Sequence, residues 1–573
     1  MAFVIGAYAR SAATPLQPQE LATLRRALRI GPMDTAGFTG TSRLQFAWVD
    51  LDGSVGAPQE CADGSLSLVW GALYGGGREG IACQGLLQRE SRSERPALAD
   101  ISGEFGFAFH DVETDSLQLV TDKLGIRPLF VHCTADRVWF SSSLRAMERL
   151  PCVPRVMDFR AATEMAFFGA PLSDRTPYLD VRVLRAGERL RVDARRVRSD
   201  YYWRWNVLPE WRGDRAGSLV ELAARFRTSV GRRRGGDARV LCLLSGGLDS
   251  RMIACALREQ GTEVIACNFS PPGTQDEVYS REVAHALCCE YSWLPLEQGH
   301  KPNFYVQLSE ACRAGAIDGG GPVDRPHWVF IGMGGGAAVA PILHDEEIFG
   351  HFRAGRIQQG LERFAWRRGW RLVEHLYRPD VLGRMRDVII EGVREHFREF
   401  PCDDAARGFH LFEMLNDQRR HLHAHWDDAV VHGMQFHVPY LDSQFLEHLL
   451  SIPIDWTLHH DLYHSWMEHF DPAARSVPWQ VYPGHRPCPV PSTRKFPTQW
   501  EESAGYVLSN RAALTALLDQ ILGTRPFPAL LNRNYLRLVR VRRAFGGDYG
   551  YAIGPARTLR DVWVQCEGRG EWR

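Results

Sequence analysis

The densest chemistry in the chain sits at Leu244-Ser245-Gly246-Gly247-Leu248-Asp249-Ser250. An apolar run of strand length, Ala238 to Leu244, leads into it, and helical spacing begins near Arg251. Two glycines allow a tight turn that brings backbone N–H groups close to an anion. A helix N-terminus behind them adds its dipole and its unpaired donors. Ser245 and Ser250 offer hydroxyls. Asp249 repels bare phosphate unless a divalent cation bridges the two. The local physics reads as a pyrophosphate and Mg²⁺ site. It is not a Walker P-loop, since GxxxxGK[ST] is absent.

The elements that position this turn follow from periodicity. SLVELAARFRTSV (Ser218 to Val230) has helical spacing, and SRMIACALREQ (Ser250 to Gln260) is helical until Gly261. TEVIACNFS (Thr262 to Ser270) is a second buried strand, and DEVYSREVAHAL (Asp276 to Leu287) is helical again. Strands alternating with helices predict a doubly wound parallel sheet. Upstream, MAFVIGAYAR reads as a first buried strand. The stretch Glu104 to Ser143 holds short β-prone runs separated by turn residues. A charged and aromatic segment, Tyr201 to Arg215, breaks this pattern, which places a domain boundary between residues 1–205 and 206–573. Beyond about residue 355 the chain is mostly helical.

Composition excludes several classes. The 573 residues carry 68 Lys+Arg against 68 Asp+Glu, so no excess charge marks a nucleic-acid binder. Apolar content is 45%, ordinary for a globular chain and too high for a disordered one. No apolar run is long enough for a membrane span. The 13 cysteines are scattered, without CxxC pairs, which fits free thiols in a reducing cytoplasm. Lysine occurs only as Lys123, Lys301 and Lys495 in an arginine-rich chain, a mild hint that those positions need a compact charge.

SGGLDS after a strand resembles the PP-loop of ATP pyrophosphatases. Other segments resemble the asparagine synthetase B family in that family's order. GEFGFAFHDVETDSLQLVTDKLGIRPLF resembles its N-terminal domain, and Val438-Pro439-Tyr440-Leu441-Asp442 a segment of its synthetase domain. His344 to Phe352 resembles its acidic metal loop, and Ser492-Thr493-Arg494-Lys495-Phe496 falls where the catalytic lysine belongs. The resemblance implies an N-terminal αββα (Ntn-hydrolase-like) sandwich and a C-terminal α/β PP-loop domain with a helical extension. It implies ATP and Mg²⁺. ATP would meet Leu243, Ser245, Gly246, Gly247, Leu248, Asp249, Ser250, Asn268 and Phe269, the last two at the strand end that lies against adenine. Mg²⁺ would meet Asp249 with Asp345 and Glu346, or with Glu346 and Glu347 in another register. Lys495 would stabilise charge developing on the acyl-adenylate and pyrophosphate.

Departures from the family narrow the expectation. The nucleophilic cysteine that follows the initiator methionine is here Ala2. The stretch that supplies an oxyanion-hole Asn reads Trp70-Gly71-Ala72-Leu73-Tyr74, and an indole lacks the amide donors. The glutamine-binding turn is degraded to Arg29-Ile30-Gly31-Pro32-Met33-Asp34. The family acid/base Glu is Gln435, which exchanges no proton near neutral pH; His437 and Tyr440 are the proton-capable neighbours. The resemblance with these losses implies carboxylate adenylation followed by attack of an amine other than tunnelled ammonia. The first expectation is macrolactam closure on a ribosomal precursor peptide, as in lasso-peptide cyclases, with a leader peptidase as a further partner. An ammonia-fed or β-lactam-synthetase-like amide synthetase and a non-catalytic ATP-binding scaffold are the alternatives. The signals left over read plainly. His421 and His425 share a helix face, Gly332-Met333-Gly334-Gly335-Gly336 is an active-site loop, and Gly231 to Arg234 is a solvated loop before a strand.

Overall fold

The computed structural model describes residues 3–29, 36–49, 58–75, 78–79, 97–295, 304–313, 317, 327–339, 341–482, 484–492, 495–497, 511–544, 547 and 549–572. Ala2, most of the 29–34 turn, Lys301, Thr493 and Arg494 lie outside them.

Two antiparallel sheets face each other in the N-terminal half. The first has six strands in the spatial order Arg182–Val183, Phe130–Cys133, Arg137–Ser141, Phe3–Ala9, Leu44–Val49, Ala36–Gly40. The second runs Val197–Tyr201, Glu188–Val192, Ser116–Thr121, Ser102–Asp111, Leu66–Gly75, Gln59–Glu60, with Arg78–Glu79 also on Leu66–Gly75. Alternation along each strand sorts the side chains. Val4, Phe46 and Phe140 meet Leu68, Trp70 and Leu119 between the sheets, while Phe105, Phe107 and Val120 point to the far side. The opposite face of the first sheet, with Phe3, Ile5 and Ala7, packs on helices Pro18–Leu28, Arg511–Gly523 and Gly550–Gln565. The carboxyl-terminal helices thus return to the amino-terminal half, and Gly570–Glu571 pairs in parallel with Met157–Asp158.

The remaining sheet is parallel, five strands in the order Glu290–Pro295, Glu263–Ser270, Arg239–Leu243, His327–Phe330, Met434–His437. The first two crossovers build outward on one side of Arg239–Leu243, and the next strand enters on its other side. That reversal is a topological switch point, where the strand ends part and leave a crevice. Helices Arg215–Arg234, Asp249–Glu259 and Gln275–Ala286 flank the sheet.

Gly231 to Arg234 is not a solvated loop. It is the last turn of helix Arg215–Arg234, and Arg233 is buried, with NH1 donating to Asp442 (3.1 Å) and NH2 pairing with Glu104 of the second sheet. The reason is long-range: two carboxylates from distant segments neutralise a charge that local sequence assigns to solvent. Further ties join the halves. Lys123 Nζ reaches Glu447 at 2.7 Å and lies over the Trp203 ring, and Ser143 Oγ donates to Asp427. Among the described residues no helix is long and apolar enough to cross a membrane.

Candidate active site

A cavity of about 470 Å³ opens at the switch point. Leu243, Ser245, Gly247, Leu248, Asp249 and Ser250 line one wall, and Asn268 and Phe269 end the neighbouring strand beside them. The third wall continues strand His327–Phe330 through Ile331, Gly332 and Met333. Sequence places these groups far apart; the parallel order 263–270, 239–243, 327–330 brings them together.

The turn is held by its own side chains. Ser250 Oγ accepts from Ser245 N (2.9 Å), and Ser245 Oγ accepts from Gly247 N (3.2 Å). Gly246 lies behind the wall. Its N–H donates to Asp276 Oδ1 (2.8 Å), and an added Cβ there would come within 2.9 Å of Gln275 O. The helix starting at Asp249 has no side-chain N-cap, and its first residues, Asp249 and Ser250, line the cavity, where an anion could take up its first donors. Asn268 Nδ2 donates to Leu244 O (2.8 Å), which fixes the end of the second strand to the turn.

Asp249 is enclosed. Burial lifts its carboxyl to about 6, against a hydrogen bond from Tyr463 and one from the Gly336 N–H. Tyr463 Oη donates to Asp249 Oδ1 (2.8 Å), and Tyr440 Oη donates to Asp249 O (3.0 Å). The two phenols lie 2.8 Å apart. The glycine-rich loop closes over the same carboxylate: a Cβ at Gly335 would stand 2.4 Å from Asp249 Cγ. Tyr440 therefore acts through Asp249 and does not face the cavity.

The other expected groups sit elsewhere. Gln435 and His437 share a strand with Phe436, and alternation turns them away from the cavity that Phe436 lines. Gln435 Oε1 accepts from Arg127 of the N-terminal half (3.0 Å). His437 stacks on Trp328 at 4.5 Å, and burial, with Arg233 and Arg127 nearby, holds its pKa well below the ordinary value. Asp345 caps helix Glu346–Arg353 through Ile348 N (2.8 Å) and pairs with Arg367 (2.7 Å) and Arg363 (3.2 Å). Glu346 is exposed and accepts from His459 Nε2 (2.6 Å). Lys495 is exposed on a segment that docks against helix Gln275–Ala286, where Gln275 N donates to Pro497 O (3.0 Å) and Phe496 meets Tyr279 edge-on. His421 and His425 are hydrogen-bonded to each other at 3.0 Å.

Asp276, His460, Tyr463, Gln480 and Tyr482 line the cavity without having been singled out from sequence. Only Asp276 carried a local signal, an acidic residue in the first turn of the helix after the adenine-side strand. Two carboxylates on the cavity, half-buried Asp249 and buried Asp276, are hard oxygen donors of the kind Mg²⁺ takes. No group of three or more His, Cys, Asp or Glu capable of holding a metal occurs among the described residues. Mg²⁺ commonly needs only one or two carboxylates, with nucleotide phosphates and water completing the set. The donors present fit that pattern.

The N-terminal half holds no equivalent arrangement at Trp70. The indole is fully buried in the inter-sheet core, its Nε1 without a hydrogen-bond partner, and it covers Gly106, where a Cβ would approach Cζ2 to 2.1 Å.

Comparison with known proteins finds two family models along the chain. Residues 86–203 match the model of the glutamine amidotransferase domain, and residues 221–300 match that of asparagine synthase. The chain is thus similar, in order, to a glutamine amidotransferase domain and to asparagine synthase. It is 21% identical over 374 residues to "Putative asparagine synthetase (glutamine-hydrolyzing) 1" of Methanocaldococcus jannaschii, which covers 64% of this chain and 59% of that protein. A shorter match, 43% over 63 residues, joins it to tRNA(Ile)-lysidine synthase of Porphyromonas gingivalis, covering 10% of this chain and 14% of that one. Among solved structures, glutamine phosphoribosylpyrophosphate amidotransferase from B. subtilis aligns at 14% identity and a TM-score of 0.25, covering 52% of this chain and 94% of that one.

Proposed function

We propose that the chain is an ATP-dependent, AMP-forming carbon–nitrogen ligase. The observation that carries this reading is the cavity at the switch point, with the Ser245–Ser250 turn, the uncapped helix N-terminus and the Asp249 carboxylate on one wall. Mg·ATP supplies an electrophilic α-phosphorus and a pyrophosphate leaving group. A substrate carboxylate oxygen attacks that phosphorus, pyrophosphate departs, and an amine then displaces AMP to leave an amide.

This chain's own residues bind and orient. The turn and the first helical N–H groups cradle the phosphates. Asp249 and Asp276 would hold the cation, and Tyr463 keeps Asp249 Oδ1 in place. Phe269 and Phe436 give the cavity apolar surface suited to an adenine. Lys495, on the segment that flanks helix Gln275–Ala286, supplies the positive charge that pyrophosphate release needs. Asp345 and Glu346 stand off the cavity lining with partners of their own, so the cation role falls first to Asp249 and Asp276.

The amine donor follows from the N-terminal half. Ala2 replaces the thiol that would release ammonia from glutamine, and Trp70 fills the core in place of an amide donor. Gln435, held by Arg127, is no acid or base. These features favour an amine carried by the substrate itself. We read the reaction as macrolactam closure between the N-terminal amine and an Asp or Glu side chain of a ribosomal precursor peptide, in the cytoplasm, downstream of a leader peptidase. Orientation of a folded peptide supplies the effective concentration for ring closure.

AMP and pyrophosphate release from Mg·ATP across an acceptor panel tests this. The panel holds aspartate with ammonia, small carboxylated amino acids, and peptides with a free N-terminus and an internal Asp or Glu. Release with a peptide that loses one water from its mass is the expected result. Release with aspartate and ammonia alone overturns the cyclase reading and leaves an ammonia-fed synthetase. Binding of ATP without release on any acceptor identifies a scaffold.

A further inference from the structure

Part of the cavity lining, Gln480 and Tyr482, comes from a segment without helix or strand, Val477–Tyr482, and His460 lines the same cavity. Arg251 fixes the course of that segment. Its side chain is 0% exposed and bonds to no carboxylate. NH1 donates to Val477 O (2.7 Å) and Ala474 O (3.2 Å), and NH2 to Pro478 O (2.8 Å). NH2 also reaches Gly246 O at 3.5 Å, and the guanidinium lies 5.6 Å from the Trp479 ring. Burial lowers its pKa to about 10. A buried guanidinium that bonds backbone carbonyls through its two terminal nitrogens and leaves Nε without a partner is costly, and its result here is geometric. It ties residues 474–478 to the helix that follows the phosphate-binding turn, so the next residues, Gln480 and Tyr482, project into the cavity.

The charge inventory of the cavity is specific. The charged side chains among its described lining residues are the carboxylates Asp249 and Asp276, on the cation side. Beside them the described lining presents the uncharged hydrogen-bonding groups Gln480 and Tyr482, with His460 and the apolar Ile342. A free amino acid brings a second carboxylate, and among the described residues of this lining no Lys or Arg stands to meet it. An internal Asp or Glu of a peptide brings amides, which Gln480 and Tyr482 can bond. Sites built from neutral hydrogen-bonding groups discriminate strongly against ligands that cannot satisfy them.

We infer that the Arg251-tethered segment Val477–Tyr482 is the wall that recognises the acyl donor, that Gln480 and Tyr482 determine its specificity for a carboxylate on an otherwise uncharged chain, and that Arg251 is their positioning residue. This rests on the ligase reading above and adds which residues read the substrate and what class of carboxylate they take.

ATP–pyrophosphate exchange isolates the first half-reaction and needs no amine. Two probes are compared: an N-acetylated, C-amidated glycine-rich hexapeptide with one internal Asp, and free L-aspartate. The expected kcat/KM for the capped peptide exceeds that for aspartate by about tenfold or more, on the scale of one lost hydrogen-bonded or charged contact. Gln480→Ala and Tyr482→Phe raise KM for the peptide by about tenfold while KM for ATP stays within about twofold. Arg251→Lys, which keeps the charge and loses the fork, raises the same KM with the thermal midpoint recorded alongside. A merely structural arginine would lower the midpoint and disturb both KM values together. Equal or better exchange with aspartate overturns the inference and leaves the ligase intact. So does a rise confined to the ATP KM in the two wall variants. ATP binding without exchange on either probe overturns the ligase reading, and the inference falls with it.

Discussion

At Gln435 a single side chain separates two chemistries. The amide accepts from Arg127 NH2 at 3.0 Å inside the contact between the two halves, and the residue is 1% exposed. Gln435→Glu would place a carboxylate against that guanidinium, and the charge would be neutralised where it forms. We expect the variant to unfold within about 1 kcal/mol of wild type, because a buried pair gains roughly what desolvation takes. Gln435→Ala removes the acceptor from a buried guanidinium and should cost about 1–3 kcal/mol. Urea unfolding of both variants checks the pair; equal losses would show that Arg127 does not depend on this contact. Asp249 answers a different question. Asp249→Asn keeps an oxygen for Tyr463 to donate to but removes the charge that holds the cation. Pyrophosphate release should fall about a hundredfold or more, a loss of roughly 3 kcal/mol of transition-state stabilisation, with the thermal midpoint preserved. Unchanged release would remove Asp249 from the cation site.

The element that shapes Asp249 is the glycine-rich turn after strand His327–Phe330. Neighbouring glycines there differ sharply. A Cβ at Gly335 would stand 2.4 Å from Asp249 Cγ, while one at Gly336 would meet only Oδ2, at 3.6 Å. Gly335→Ala should therefore displace the carboxylate and raise the Mg²⁺ concentration for half-maximal release by about tenfold, the scale of a displacement of about an ångström at a site of chemistry. Gly336→Ala keeps the N–H that donates to Asp249 and should leave that concentration within about twofold. A Mg²⁺ titration of the two variants decides it, and equal behaviour would mean the loop yields freely. The turn from Leu244 to Ser250 was legible in the sequence because its hydroxyls, glycines and helix start are contiguous there. Its strands and helices were legible for the same reason: Glu263–Ser270 and Gln275–Ala286 carry their own periodicity. Tyr463, Gln480 and Tyr482 were not, because they reach the cavity through tertiary order alone. Arg233 read as part of a solvated loop, since its carboxylate partners lie far along the chain, and nothing local marked Arg251, whose partners are distant backbone carbonyls.

Across the whole molecule, the two halves meet through buried charge rather than through an apolar face alone. Arg233 with Glu104 and Asp442, Lys123 with Glu447, and Ser143 with Asp427 all span that contact. Asp427 is the member whose ionisation the fold resists. Burial raises its carboxyl from the ordinary 3.8 to about 7, against the pull of Arg145 and the Ser143 hydroxyl. In the unfolded chain it ionises near its ordinary value, so between about pH 4 and pH 7 the folded state holds the extra proton. Stability is therefore fully present below pH 4 and is lost as pH rises through this window, by up to about 4 kcal/mol from this one group. Asp427→Asn removes the penalty while an amide oxygen can still accept from Ser143. The variant should be destabilised or neutral at pH 4.5 and should gain on wild type by about 2–4 kcal/mol at pH 8. Guanidinium unfolding of both proteins at the two pH values measures the difference directly. A variant-minus-wild-type difference that is the same at pH 4.5 and pH 8 would mean that Asp427 is ionised in the folded state throughout, and that the contact between the halves accommodates the charge.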